Sequence, residues 1–128
     1  MRFLLDTHAF LWFVLDDSRL SSEASSLIKD LDNRVLISPA SYWEIAIKVS
    51  IGKYEIPGSF QDWIERQLSE NGFEVLPLRV DHAARVTMLP FHHRDPFDRL
   101  LIAQALTEKI PIISIDGKFD QYSVDRRW

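Results

Sequence analysis

Short apolar runs alternate with helical segments along this chain, and this alternation restricts the folds that it can adopt. The runs lie at Phe3–Leu5, Val35–Ile37 and Ile110–Ile115, and a weaker one, Phe73–Leu78, contains a proline and predicts an edge strand. A short apolar run between polar residues is typical of a strand buried on both faces. Strands that alternate with helices form right-handed βαβ units with a parallel sheet. The sequence therefore predicts an α/β fold.

The length and composition predict one globular domain, residues 1–128. The chain is 46% apolar and 27% charged, as is typical of soluble proteins. It has no cysteine, which excludes disulfides, thiolate metal sites and cysteine nucleophiles and is compatible with a reducing cytoplasm. No stretch approaches the roughly 20 apolar residues of a membrane span. We therefore expect a cytoplasmic protein with no membrane association.

The net charge of −4 at first argues against a nucleic-acid partner, which normally leaves a basic footprint. Four acids are candidate metal ligands, however, and setting them aside leaves 15 of the 19 acids against 15 lysines and arginines. The remainder of the chain is then neutral and can still carry a basic face. Net charge alone does not decide the partner.

Two candidate ligands, Asp6 and Asp116, directly follow apolar runs. In α/β folds, ligands bind outside the carboxyl ends of the strands, where both acids are predicted to lie. Asp116 precedes Gly117, and Asp-Gly is also a common turn, so a local backbone hydrogen bond is an alternative explanation for this acid.

Glu44 lies on a predicted helix that runs from Pro39 to Ile51 and is apolar around much of its circumference. A carboxylate on such a helix is costly unless it is paired or binds a metal. The spacing also allows an ion pair with Lys48, one turn later. Both interpretations stay open.

The densest polar cluster comes at residues 92–99. Asp95 is a natural N-cap before Pro96, and Asp98 falls in the first turn of the helix that they begin, where capping or the helix dipole could also explain it. His92 and His93 lack the spacing of a metal pair, and we expect a loop that packs or contacts substrate.

Clustered carboxylates repel one another, and their pKa values rise unless a cation is present. Oxygen-only ligands suit Mg²⁺ or Mn²⁺, and two such ions about 4 Å apart can position a water for attack on phosphorus. If the four acids converge, the sequence predicts a metal-dependent enzyme that needs no side-chain nucleophile.

Four segments together resemble the PIN-domain ribonucleases, specifically the VapC-type toxins of toxin-antitoxin modules. These segments are Leu4–His8, Trp43–Ile45, Arg94–Ala105 and Ser114–Asp116, and the resemblance spans essentially the whole chain. It implies a three-layer α/β/α sandwich with a central, mostly parallel sheet, and cleavage of RNA with Mg²⁺ or Mn²⁺. It also implies a homodimer that is inhibited by a small antitoxin, which itself binds operator DNA.

Carried over by position, the acidic quartet is Asp6, Glu44, Asp98 and Asp116. Ser114 matches a hydroxyl position that can orient a ligand or water, and Thr7 could act similarly. Basic residues near the acids in sequence are candidates for contact with RNA phosphates: Lys48, Arg94, Arg99 and Lys118.

Three other functions compete with a nuclease. A magnesium-dependent phosphatase of the haloacid dehalogenase type also places an Asp after its first strand, but it expects a second Asp where this chain has His8. A phosphoacceptor receiver domain would need an acid where this chain has Ser38. The third alternative is a catalytically inactive PIN-fold module that binds RNA or protein, which the four intact acids disfavour.

Overall fold

The computed structural model describes all 128 residues, and five strands and six α-helices alternate along the chain. The strands are β1 (Arg2–Leu5), β2 (Arg34–Ile37), β3 (Glu74–Val75), β4 (Ile112–Ile113) and β5 (Arg126–Arg127). The helices are α1 (Thr7–Val14), α2 (Ser22–Lys29), α3 (Pro39–Ser50), α4 (Phe60–Glu70), α5 (Val80–Val86) and α6 (Pro96–Glu108). A short 3₁₀ helix, Gly117–Gln121, lies between β4 and β5.

All five strands form one sheet in the order β3-β2-β1-β4-β5, and every neighbouring pair is parallel. The chain builds the sheet outward from β1 to β3 on one side and then returns to add β4 and β5 on the other. The order therefore reverses between β1 and β4. In open α/β sheets, a crevice at such a reversal is the usual place for a ligand.

The sheet is covered on both faces, which confirms the predicted three-layer α/β/α architecture. Phe3 and Leu5 of β1 pack on one side, in a core that includes residues of α1, α2 and α4. Leu4 points to the opposite side and packs in a second core with Leu101 and Ile102 of α6. The alternation along β1 explains why the whole run is apolar, since both of its faces are buried.

Two local features do not follow from the sequence pattern. Arg79, which is not a typical cap residue, is the N-cap of α5, and its N–H donates to Nδ1 of His82 at 3.1 Å. Strand β5 was not predicted, because its two residues are arginines, which carry no strand signal. The predicted edge position of the third strand is confirmed, although β3 keeps only two residues of the run.

None of the six helices combines the length and the apolarity that a membrane crossing requires.

Candidate active site

Asp6 occupies the junction between β1 and α1. It is buried, it is the N-cap of α1, and its Oδ1 accepts a hydrogen bond of 2.8 Å from the Ala9 N–H. Burial raises the pKa of Asp6 to about 6, although the Ser114 hydroxyl and the Ala9 N–H partly oppose the shift. The strand that buries this acid therefore also makes its negative charge costly in the absence of a cation.

The register of the sheet brings Ser114 beside Asp6. Leu5 pairs with Ile113, and the Asp6 N–H donates to the Ile113 carbonyl at 3.1 Å, so the next residue of each strand lies at the same edge. The buried Ser114 hydroxyl accepts the N–H of Asp116 at 3.0 Å. The pairing of β1 with β4, where the strand order reverses, therefore brings Asp6, Ser114 and the start of the Asp116 loop to one edge of the sheet.

Asp116 makes the local backbone bond that a turn residue would make. Its Oδ1 accepts the Lys118 N–H at 2.9 Å. Burial, which would raise the pKa of Asp116, is outweighed by the hydrogen bonds from the Lys118 N–H and from His93, and the pKa is lowered. The turn interpretation and a place in the acid cluster therefore both hold for this residue.

Glu44 is buried on α3 and forms the ion pair that its spacing allows, with 3.2 Å between its Oε2 and Nζ of Lys48. Thr7, one of the two predicted supporting hydroxyls, donates from Oγ1 to Oγ of Ser41 at 3.2 Å. This bond joins the first turn of α1 to α3. Thr7 therefore links α1, which follows Asp6, to α3, which carries Glu44.

Asp98 is the most strongly perturbed acid of the site. The N-cap Asp95 holds the first turn of α6 by accepting the N–H groups of Phe97 and Asp98 at 2.8 and 3.1 Å, as predicted for its capping role. Burial raises the pKa of Asp98 to about 8, and the charges of Asp95, Asp6, Glu44 and Asp116 add to the shift. Four segments remote in sequence therefore bring Asp6, Glu44 and Asp116 within electrostatic reach of Asp98.

His93 belongs to this cluster, which sequence reasoning missed. Its Nε2 lies 2.8 Å from Oδ2 of Asp116 and 3.1 Å from Oδ2 of Asp98. The loop also packs, as expected, because the N–H groups of His92 and His93 both donate to the Tyr122 hydroxyl. The available signal was the position of His93 directly before the Arg94–Asp98 stretch, but the path of a loop is not encoded in a periodic pattern.

The four basic candidates fall into different environments. Arg94 and Lys118 are exposed, directly after His93 and two residues after Asp116 in the chain, and Lys48 is half-buried against Glu44. The prediction that Arg99 faces phosphate is wrong: Arg99 is buried, and its guanidinium donates to the carbonyls of Pro90, Val86 and Leu89. These hydrogen bonds satisfy the carbonyls at the end of α5 and in the loop that follows it.

The sequence model of the PIN domain matches residues 3–125. The chain belongs to the PIN domain family. Ribonuclease VapC16 of Mycobacterium tuberculosis is 36% identical over 62 residues, which are 48% of this chain and 43% of that protein. The alignment with this curated relative therefore spans less than half of its length.

Solved structures resemble this PIN domain over nearly its full length. VapBC2 of Rickettsia felis, bound to a DNA fragment from its promoter, has a TM-score of 0.74 at 17% identity, covering 99% of this chain and 98% of that chain. FitAcB of Neisseria gonorrhoeae has a TM-score of 0.69 at 17% identity, covering 97% and 95%. VapBC-1 of nontypeable Haemophilus influenzae has a TM-score of 0.68 at 17% identity, covering 99% of this chain and 97% of that chain. These likenesses confirm the fold.

The acid cluster of this PIN domain has the donor chemistry of a site for a divalent cation. Asp6, Glu44, Asp98 and Asp116 offer only carboxylate oxygens, the ligands that hard cations prefer. Burial raises the pKa values of Asp6 and Asp98, and repulsion from neighbouring acids adds to both shifts. A bound dication would remove that conflict, so the residues present fit such an ion.

Proposed function

We propose that this PIN domain is a metal-dependent endoribonuclease, the toxin component of a type II toxin-antitoxin system. The proposal is carried by four carboxylates near the point where the order of the sheet reverses: Asp98 and Asp116 both approach His93, and burial, followed by the charges of Asp95, Asp6, Glu44 and Asp116, raises the pKa of Asp98. RNA as the substrate is supported by the partial likeness to Ribonuclease VapC16. The VapBC complexes of similar fold support the toxin role.

The four acids would hold Mg²⁺ or Mn²⁺. When bound, such an ion supplies an activated water and neutralises charge on the scissile phosphate. The residues of the chain bind and orient: Asp6 is buried at the N-cap of α1 and Glu44 on α3, while Asp98 lies on α6 and Asp116 in the loop after β4. Ser114 fixes the start of the Asp116 loop through the Asp116 N–H.

Phosphate contacts are assigned to the basic residues that remain accessible. Lys118 and Arg94 lie in the two segments that carry Asp116 and Asp98, and both side chains are exposed. Lys48 holds its charge near Glu44. These three cations are our candidates for the phosphate contacts, which an overall charge of −4 does not exclude.

The proposal also includes two protein partners and a cytoplasmic location. A small antitoxin is the expected inhibitor, and the toxins of similar fold were solved in VapBC complexes. A second copy of this chain is the other partner. Trp43 and Ile47 on α3 and Ile51 at its C-cap are exposed at four-residue spacing, and an apolar row of this kind is typical of a surface that another protein covers.

A cleavage assay tests the enzymatic activity. We expect RNA hydrolysis with Mg²⁺ or Mn²⁺ and none in excess EDTA. Asp6→Asn should reduce the rate by more than about 100-fold, because even the loss of a second-shell partner costs 10- to 100-fold. Asn is also a good N-cap, so this substitution preserves the hydrogen bond to the Ala9 N–H.

Glu65→Gln is the matched control, since it removes a carboxylate from the exposed face of α4, away from the cluster. Equal cleavage by the wild-type protein and Asp6→Asn, or full activity in EDTA, would contradict the proposal. Expression in cells tests the toxin role: the wild-type chain should arrest growth, Asp6→Asn should not, and a short neighbouring reading frame should encode the inhibitor. Harmless expression of a folded, active nuclease would contradict the toxin role alone.

A further inference from the structure

His93 connects the last two acids of the cluster. Its Nε2 lies within hydrogen-bond distance of Oδ2 of both Asp116 and Asp98, at 2.8 and 3.1 Å. One ligand-type atom from each of the three residues lies within 4.8 Å of the others. This spacing is compatible with two different roles, because the imidazole could coordinate an ion together with the acids or could hold the acids in place.

The second ring nitrogen decides between these roles. Nδ1 of His93 lies 3.2 Å from the backbone nitrogen of Asp95, and a backbone N–H can only donate. Nδ1 must therefore carry the lone pair, and the proton of the neutral ring is on Nε2. An Nε2–H group is a donor and cannot bind a metal ion. For Nε2 to coordinate, the proton would have to move to Nδ1 and displace the Asp95 hydrogen bond.

The surroundings of His93 hold the ring in this orientation. The residue is buried, its ring packs edge-on against Phe119 at 5.8 Å, and its own N–H donates to the Tyr122 hydroxyl at 2.9 Å. Tyr122 in turn donates to the Pro90 carbonyl at 2.8 Å. The donor that faces the acids is therefore fixed by packing and by three hydrogen bonds outside the acid cluster.

We propose that His93 is a positioning residue of the metal site: its Nε2–H donates to Asp116, with Asp98 3.1 Å away from the same nitrogen, and its ring is not a ligand. The inference rests on the proposed function because it takes the acids to bind a divalent ion. Each acid uses Oδ2 toward the imidazole, and Asp98 keeps Oδ1 free of any partner in the protein. Asp116 comes from a loop rather than from a strand, so its placement depends on this contact more than that of Asp6 does.

His82 gives a matched comparison elsewhere in the same chain. Its Nδ1 accepts the Arg79 N–H at 3.1 Å, and its Nε2 lies 3.3 Å from Oε2 of Glu108. The arrangement of backbone donor, ring and carboxylate is the same, but Glu108 is paired with Arg79 and is not one of the four acids. His82 therefore controls for the loss of a buried imidazole without loss of the site contact.

The tautomer is the first test. Long-range ¹H–¹⁵N spectra of the metal-free protein, with the His93 signal assigned by its absence in His93→Gln, should show the proton on Nε2. The same tautomer should persist after saturation with Mg²⁺. A His93 ring with its proton on Nδ1 in the Mg²⁺-loaded protein would overturn the inference, since Nε2 would then be free to coordinate.

Metal affinity is the second test, measured by calorimetric titration with Mn²⁺. His93→Leu removes the donor and should weaken binding by about 10- to 100-fold, the usual effect of losing a second-shell partner. His93→Gln retains an N–H donor and should restore most of the affinity, to within a few-fold of the wild-type value. His82→Gln should bind Mn²⁺ as the wild-type protein does.

The outcomes separate this inference from the proposed function. Absence of Mn²⁺ binding by the wild-type protein would overturn the proposed function itself. Equal affinities of the wild-type protein and a folded His93→Leu variant would overturn the role of His93 and leave the nuclease proposal standing. If His93→Leu does not fold, the tautomer of His93 and the Mn²⁺ affinity of His93→Gln test its role instead. A Gln variant that binds Mn²⁺ as weakly as a variant lacking an Asp ligand would contradict positioning by an N–H donor.

Discussion

The ammonium group of Lys48 lies 3.2 Å from Oε2 of Glu44, one turn earlier on α3. Lys48 also contacts the Tyr54 hydroxyl at 3.4 Å. Burial would lower the pKa of Lys48, but the attraction of Glu44 and the Tyr54 contact outweigh it, and the pKa is raised. Lys48 therefore stays charged and acts as the internal counter-ion of a buried acid that we assign to the metal site.

Lys48→Met should change metal and RNA binding in opposite directions. Without the ammonium group, a dication no longer competes with it for Glu44, so Mn²⁺ should bind roughly two- to tenfold more tightly, a gain of up to about 1.4 kcal/mol. RNA should bind more weakly and with a smaller dependence on salt, because a phosphate contact is lost. Calorimetry with Mn²⁺ and RNA binding by an Asp6→Asn background variant measure the two effects.

Lys53→Met is the control for the Lys48 variant, since Lys53 is an exposed lysine on the loop after α3. It should leave Mn²⁺ affinity unchanged. Weaker Mn²⁺ binding by Lys48→Met would show that Lys48 supports the site rather than competing for Glu44.

The metal-free protein should lose stability as the pH rises from 5 to 8. The pKa of Asp98 is about 8 in the folded chain, against 3.8 for a free carboxyl, so between these values the folded state binds more protons than the unfolded state. Stability from this group is complete below about pH 4 and falls through pH 8, by a few kcal/mol at most. The burial of Asp6, with a pKa of about 6, acts in the same direction.

Urea unfolding in EDTA measures this trend. Asp98→Asn lacks the titrating group and should be less sensitive to pH over this range, so the two proteins should differ most at pH 8. Saturating Mg²⁺ should restore the stability of the wild-type protein at pH 8. A metal-free wild-type protein that becomes more stable than Asp98→Asn as the pH rises would show that Asp98 is not held in an acidic, buried cluster.

The sequence predicted those site residues whose positions follow from regular structure. Asp6 and Asp116 could be found because an apolar run ends just before each, and parallel strands bring their carboxyl ends to one edge. Asp98 could be placed because Asp95 and Pro96 specify a helix start. The fold class followed from the same alternation of strands and helices.

The residues that were missed depend on tertiary contacts. His93 reaches the acids because its loop is held by Tyr122, 29 residues later in the chain. Arg99 is a charged residue close to Asp98 in sequence, so we expected it to be exposed. It is buried instead, because its guanidinium donates to carbonyls after α5 that would otherwise lack a donor. Neither contact leaves a periodic trace in the sequence.

Arg99→Met should lower the free energy of unfolding without weakening RNA binding by the folded protein. The substitution leaves the carbonyls of Val86 and Leu89 without the guanidinium donor in a buried region, which we expect to cost about 3 kcal/mol. Arg99→Lys should recover part of the loss, because an ammonium group can still donate. Urea midpoints measure the stability, and a stable Arg99→Met protein with weak RNA binding would restore the phosphate role.

Trp43→Ser and Ile47→Ser together should convert the proposed homodimer to a monomer. Trp43 is 61% exposed and packs edge-on against Phe97 of α6 at 5.6 Å, so the row on α3 continues onto a second helix. Burial of such large side chains by a second copy would contribute several kcal/mol to association. Sedimentation equilibrium should show a dimer for the wild-type chain and a monomer for the double variant. Val80→Ser, at an exposed apolar residue of α5, should remain dimeric, and a double variant that also stays dimeric would place the interface elsewhere.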